Sequence, residues 1–118
     1  MALRNRLVRS ATWEGMCDPD GRPTRKLADC YRALARGGAG LIITGYAFVL
    51  PDGRQSPCMI GIHTDAFASD MKMVVVAVHA EGGAICMQLV HTGGQTTSKI
   101  IGRRPLAPRI SPKKTVEG

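Results

Sequence analysis

Two segments of the chain, Ala35-Arg36-Gly37-Gly38-Ala39 and Ala80-Glu81-Gly82-Gly83-Ala84, nearly repeat each other at an interval of 45 residues. In each copy a helical pattern runs into a double glycine, and a short apolar run follows. The first run is Leu41-Ile42-Ile43 and the second begins at Ile85. Runs this short are long enough for a strand and too short for a buried helix. Helix, double glycine and apolar strand, twice over, is a βα repeat, and its crossovers build parallel sheets. No other feature of the sequence restricts the fold as much.

The remaining elements fit around that repeat. Leu7 to Trp13 reads as a first strand, closed by the turn-rich Cys17-Asp18-Pro19-Asp20-Gly21. Pro23-Thr24 supplies a helix start with Thr24 as N-cap. Leu27, Tyr31, Leu34 and Ala35 then fall on one helical face, and Gly37-Gly38 ends it, because glycine takes the left-handed cap without a Cβ penalty. Ala39 to Gly45 is the second strand. Leu50 to Arg54 is a turn inside a loop running to about Thr64. A second helix is expected from Asp65 to Ala80, capped by Thr64 or Asp65, with Phe67, Met71, Val74, Val75 and Val78 on one face. The third strand runs from Ile85 to His91. It is apolar apart from Gln88 and His91 near its end, and such strands are expected to be covered on both faces. A glutamine near the C-terminal end of a parallel strand sits where α/β folds keep their ligands. After His91 the pattern predicts no helix or strand. The sum is three strands, two helices and a loop.

Composition excludes several function classes. The chain has 118 residues, of which 44% are apolar, enough for one small globular domain. Its cysteines, at 17, 30, 58 and 86, form no CxxC pair, which favours reduced thiols over a disulfide framework or a zinc site. The longest strongly apolar run, Met73 to Val78, is far too short to span a bilayer. The first residues lack the apolar core of a signal peptide, which points to the cytoplasm. Net charge is +7, but the excess lies in one segment, where Lys99, Arg103, Arg104, Arg109, Lys113 and Lys114 occur without an acidic residue. That segment has no aromatic side chain for base stacking, so a solvated loop is favoured over nucleic-acid binding.

Four segments together resemble the old yellow enzyme family of FMN-dependent NAD(P)H:flavin oxidoreductases and ene-reductases. They are Asn5-Arg6-Leu7-Val8-Arg9-Ser10-Ala11-Thr12, Gly40-Leu41-Ile42-Ile43-Thr44-Gly45-Tyr46, Pro51-Asp52-Gly53-Arg54 and Gln88-Leu89-Val90-His91-Thr92-Gly93. Pro105-Leu106-Ala107-Pro108 is similar to the segment that follows the third strand there. The resemblance implies about three βα units, the N-terminal portion of a TIM (β/α)8 barrel, an α/β fold left incomplete in this chain. It implies FMN as cofactor, NAD(P)H as co-substrate and a small-molecule electron acceptor. Ser10, Ala11 and Thr12 would touch the flavin from the first strand. Gly45 and Tyr46 would approach its N5/O4 edge, mainly through backbone, and Gln88 would hydrogen-bond its pyrimidine end. His91 is expected to orient the loop and not to be catalytic. Trp13 and Gly94 depart from the family, where a smaller or phenolic residue and an arginine are common.

No catalytic acid and no His/Asn or His/His carbonyl clamp lies within the chain, so it reads as an N-terminal piece of an oxidoreductase. Residues 1–98 would be its βα units and 99–118 a basic loop or tail. Two other readings stand beside it: a half-enzyme completed by a second chain or by self-association, and a standalone α/β module whose basic tail binds anions or nucleic acid. The isolated chain is predicted to be poorly stable and to bind FMN weakly or not at all. Purification tests this directly, since stoichiometric FMN carried along with the chain would overturn it.

Overall fold

Both helices form where their caps place them. A computed structural model describes residues 1–102. In it α1 spans Arg25–Arg36 and α2 spans Asp65–Ala80. Thr24 and Thr64 are the N-caps, each hydroxyl accepting the N–H three residues on, from Leu27 and Phe67. The Thr24 hydroxyl also donates to the Met16 carbonyl, which ties the turn before α1 to its cap. The helices pack against each other. Leu27, Tyr31 and Ala35 of α1 meet Met71, Val74 and Val78 of α2 in one buried cluster with Ile42. Phe67 and Val75, expected on the inner face of α2, are only half-buried, and Ala77 takes the inner position instead.

The strands are β1 (Val8–Arg9), β2 (Leu41–Ile43), β3 (Ala47–Phe48), β4 (Ile60–Gly61), β5 (Ala84–Cys86) and β6 (Leu89–Val90). They form two parallel three-stranded sheets, ordered β1-β2-β5 and β4-β3-β6. β3 continues β2 and β6 continues β5, so the third predicted strand crosses both sheets, while the second runs on past its predicted end at Gly45 into Ala47–Phe48. Ile43 pairs with Cys86, and the next pairing is Ala47 with Leu89. Four steps on one strand therefore match three on the other, which is a one-residue bulge at Thr44–Tyr46.

Several expectations are corrected by this arrangement. The first strand is Val8–Arg9 only, not Leu7 to Trp13. Arg9 and Glu14 pair at 3.0 Å, although five extended residues would span about 17 Å, so the chain must leave the strand between them. The third strand is interrupted at Met87-Gln88 because the Gln88 N–H turns to the Thr44 hydroxyl, 3.2 Å away. Nor is that strand covered on both faces, since Cys86 and Leu89 are exposed. The loop before Thr64 contains β4, held by the Gly61 N–H on the Gly21 carbonyl at 2.8 Å. Beyond His91, where no element was expected, α3 (Ser98–Ile101) forms, and Arg54 donates to the Ile100 carbonyl at 2.9 Å. The basic residues from Arg103 onward and the Pro105–Pro108 segment lie outside the described residues.

The double glycines do different work in the two copies. The left-handed position is Gly38 in the first (φ +113°) and Gly82 in the second (φ +78°). Gly83 is instead squeezed between helices: a Cβ there would stand 3.1 Å from both Ala35 Cβ and Val78 Cγ1. Arg4 gathers the carbonyls left over at these helix ends. It donates to Glu81 at 2.6 Å, to Ala39 at 2.9 Å and to Ala35.

No helix among the described residues is long and apolar enough to cross a membrane. The four cysteines are free: Cys17 is buried, Cys30 and Cys58 half-buried and Cys86 exposed. Burial pushes the Cys17 thiol up to about 12, and the Glu14 and Asp18 carboxylates push it the same way. An unfolded chain would ionise it near ~8.5. Above that pH the unfolded state sheds a proton that the folded state keeps, so stability falls as pH rises toward about 12. The fall is at most about 1.4 kcal/mol per pH unit for this group. Urea unfolding at neutral and at alkaline pH should therefore show a smaller alkaline loss in Cys17→Ala than in the native chain.

Candidate functional site

A helix, two strands and a loop meet at one phenol. Tyr31 projects from the middle of α1 and is fully buried. Its hydroxyl donates to Glu14 Oε2 at 2.6 Å and accepts the Gly45 N–H at 2.9 Å. Arg9 Nη1 donates to the same carboxylate oxygen at 3.0 Å and to the Ile43 carbonyl at 3.2 Å. The Arg9 guanidinium also lies over the Tyr31 ring, 5.4 Å from its centroid. Glu14 is 5% exposed, so the carboxylate has left water and depends on these partners. Burial, and then the hydrogen bond to Glu14, hold the Tyr31 phenol well above the usual tyrosine range, so it stays a donor.

The Arg9–Glu14 pair closes the intervening residues into a loop, and that loop forms one side of a cleft of about 310 Å³. Ala11, Thr12 and Trp13 line it from the loop, Tyr46 from the bulge and Gln88 from the break between β5 and β6. These residues follow the C-terminal ends of β1, β2 and β5, the end where α/β proteins bind ligands, and Tyr46 and Gln88 lead on into β3 and β6. The Tyr46 hydroxyl is 3.0 Å from Ser56 Oγ, and the Thr12 hydroxyl donates to the Ser10 carbonyl at 3.2 Å.

Four of the six sequence-expected residues, Ala11, Thr12, Tyr46 and Gln88, thus share one cleft. Ser10 is exposed beside it, and Gly45 lies behind it, buried. Gly45 sends its N–H to Tyr31, while its carbonyl accepts the Thr44 hydroxyl at 2.8 Å. His91 lies away from the cleft. Its ring packs on Gly53, and its Nδ1 accepts the Gly93 N–H at 3.0 Å. Sequence reasoning missed Glu14 and the polar role of Tyr31. The available signals were a lone carboxylate just past an apolar strand and a phenol on the inner face of a helix.

Comparison with known proteins decides the family. Residues 1–115 match the NADH:flavin oxidoreductase / NADH oxidase family. The chain belongs to that family. It is 36% identical to an NADH oxidase of Thermoanaerobacter brockii, over 95% of this chain and 18% of the relative. It is 33% identical to a 4,4'-dithiodibutanoate disulfide reductase of Rhodococcus erythropolis, over 95% of this chain and 28% of the relative. The old yellow enzyme homologue of Zymomonas mobilis superposes with a TM-score of 0.84 at 33% identity, over 92% of this chain and 30% of that one. The chain therefore spans less than a third of each of these three relatives. Its fold is about three βα units of an old yellow enzyme TIM barrel.

The donor set in the cleft fits a flavin. The Gln88 side chain has no protein hydrogen bond among the described residues, so its carboxamide offers one donor group and one acceptor. Ala11 leaves room on the loop side, and Trp13 and Tyr46 supply flat apolar walls. Behind them there is no slack. A Cβ on Gly45 would come within 2.7 Å of both Glu14 Oε1 and the Thr12 carbonyl. Gly45→Ala should destabilise the chain by about 1–3 kcal/mol through this overpacking, measurable as a lower urea midpoint. Gly38→Ala, with nothing within 4 Å of the new Cβ, should cost only its left-handed backbone strain, about 1 kcal/mol.

Proposed function

We propose that this chain forms one wall of the FMN site of an NAD(P)H-dependent oxidoreductase that reduces an activated alkene or a similar electron-poor small molecule. The carrying observation is the convergence on one cleft of Ala11, Thr12, Tyr46 and a Gln88 carboxamide that has no protein partner among the described residues. Gln88 pairs with the pyrimidine end of the ring, whose N–H and carbonyls complement a carboxamide. Ser10, Ala11 and Thr12 bear on the ring from the loop that follows the first strand, and the Gly45–Tyr46 backbone meets its opposite edge. When bound, the flavin supplies the hydride chemistry, and the protein supplies orientation and electrostatics. Trp13, 48% exposed on the same wall, narrows the access of water to the cleft. A (β/α)8 barrel takes eight such units, so the other walls come from polypeptide outside these residues, either continuous with them or on a second chain.

Trp13 is the chain's one tryptophan, so its emission reports this cleft. Because the residues here face the ring and not the phosphate, lumiflavin, riboflavin and FMN should quench Trp13 with dissociation constants within about threefold of one another. Gln88→Ala should weaken all three by about tenfold, the worth of one well-placed hydrogen-bonding group. Quenching by the three flavins that Gln88→Ala leaves unchanged would sink the proposal. So would a clear preference for FMN that vanishes at high salt, which would favour an anion-binding basic segment.

A further inference from the structure

We infer that Tyr31 is the positioning residue for the whole cleft wall, acting through one continuous hydrogen-bond network; its bearing on cofactor binding rests on the flavin reading above. The chemistry of each group fixes the direction of each bond. The Gln88 N–H donates to the Thr44 hydroxyl at 3.2 Å, so that hydroxyl must give its own proton elsewhere, and it gives it to the Gly45 carbonyl at 2.8 Å. The Gly45 N–H donates to the Tyr31 hydroxyl at 2.9 Å, which passes its proton to Glu14 at 2.6 Å. A carboxylate can only accept, so the network ends there, held by Arg9 at 3.0 Å. Thr44 and Tyr31 are fully buried, and no alternative solvent partner competes.

Each cleft segment is attached to this network. Residues 11–13 are closed between Arg9 and Glu14. Gly45 is bonded to the phenol itself, next to Tyr46. Gln88 hangs from Thr44. A buried tyrosine of ordinary structural importance would anchor its own helix, but this one joins three separate segments whose exposed ends line one cavity.

Tyr31→Phe removes one oxygen and keeps the ring, so it separates positioning from packing. Amide hydrogen exchange followed by NMR supplies a readout that needs no ligand. The Gly45 and Gln88 amides should exchange at least about tenfold faster in the variant. The Thr44 and Ala84 amides, bonded to the Cys86 and Gly40 carbonyls in the same strands, should change much less. A uniform rise across all four, or no rise, would refute the positioning role. Lumiflavin titration is run beside it, and Tyr31→Phe should weaken binding by about tenfold. Selective exchange with lumiflavin affinity unchanged in Tyr31→Phe would leave the positioning role standing and remove its bearing on the flavin. Flavin binding with uniform exchange would remove the positioning role and leave the flavin reading standing. Should Tyr31→Phe fail to fold, Glu14→Gln and Thr44→Val carry the same test. Glu14→Gln should release Gly45, and Thr44→Val should release Gln88 alone; any other pattern counts against the network.

Discussion

The rest of this structure depends on one side chain placed where two strands lose register. At Thr44 the second strand gains a residue relative to the third. A bulge of that kind leaves ladder groups unpaired, and buried unpaired groups cost about 1–3 kcal/mol each. Thr44 closes the gap. Its N–H reaches the Cys86 carbonyl at 2.9 Å, and its hydroxyl takes the Gln88 N–H on one side and satisfies the Gly45 carbonyl on the other. The parallel ladder then resumes, with the Ala47 N–H on the Gln88 carbonyl at 2.8 Å. A slip of one residue reverses which face each later side chain meets, so the bulge also decides what Tyr46 and Gln88 present to the cleft.

Behind the bulge the chain buries an ion pair where an apolar cluster would serve stability as well. Taking Arg9 and Glu14 out of water is costly, and a pair of this sort returns little net stability compared with well-packed hydrophobic residues. What it adds is definition. A carboxylate at 5% exposure tolerates few arrangements of its donors, so the phenol of Tyr31, the guanidinium of Arg9 and the strand end at Gly45 are fixed relative to one another. The same residues are absent from the surface of the cleft. The front is formed instead by Ala11, Thr12, Trp13, Tyr46 and Gln88.

The helices were legible in the sequence because their determinants are local. Thr24 and Thr64 cap the amides three residues on, and the apolar spacing of Leu27, Tyr31 and Ala35 needs no knowledge of the partner. The strand limits were not legible, because they are set across the fold. The run from Ile85 to His91 is uniformly apolar near its start, yet it breaks at Gln88 through a hydrogen bond to a residue 44 positions away. β4 was hidden for the same reason, since Ile60 and Gly61 become a strand only by pairing with Ala47 and Phe48. In the cleft, the residues found from sequence were those carried by a family resemblance, and Glu14 was not among them. A single glutamate after a strand has no local signature of burial; only the arrival of Arg9 and Tyr31 gives it one.

The internal repeat finally separates the two ends of the sheet by what they do. Its copies fall where the helices end and the strands begin, at the N-terminal face, where conservation of pattern in such barrels reflects stability. There the same packing problem arises twice. A helix must stop, reverse and feed a strand, and Arg4 collects spare carbonyls from both copies. At the opposite end the copies diverge completely: one strand leaves as Thr44-Gly45-Tyr46, the other as Met87-Gln88-Leu89. No packing rule demands that divergence. The proposed flavin site accounts for it, because a ligand lying across adjacent strands would meet a backbone turn with a phenol from one and, from the other, a carboxamide that has no protein partner among the described residues.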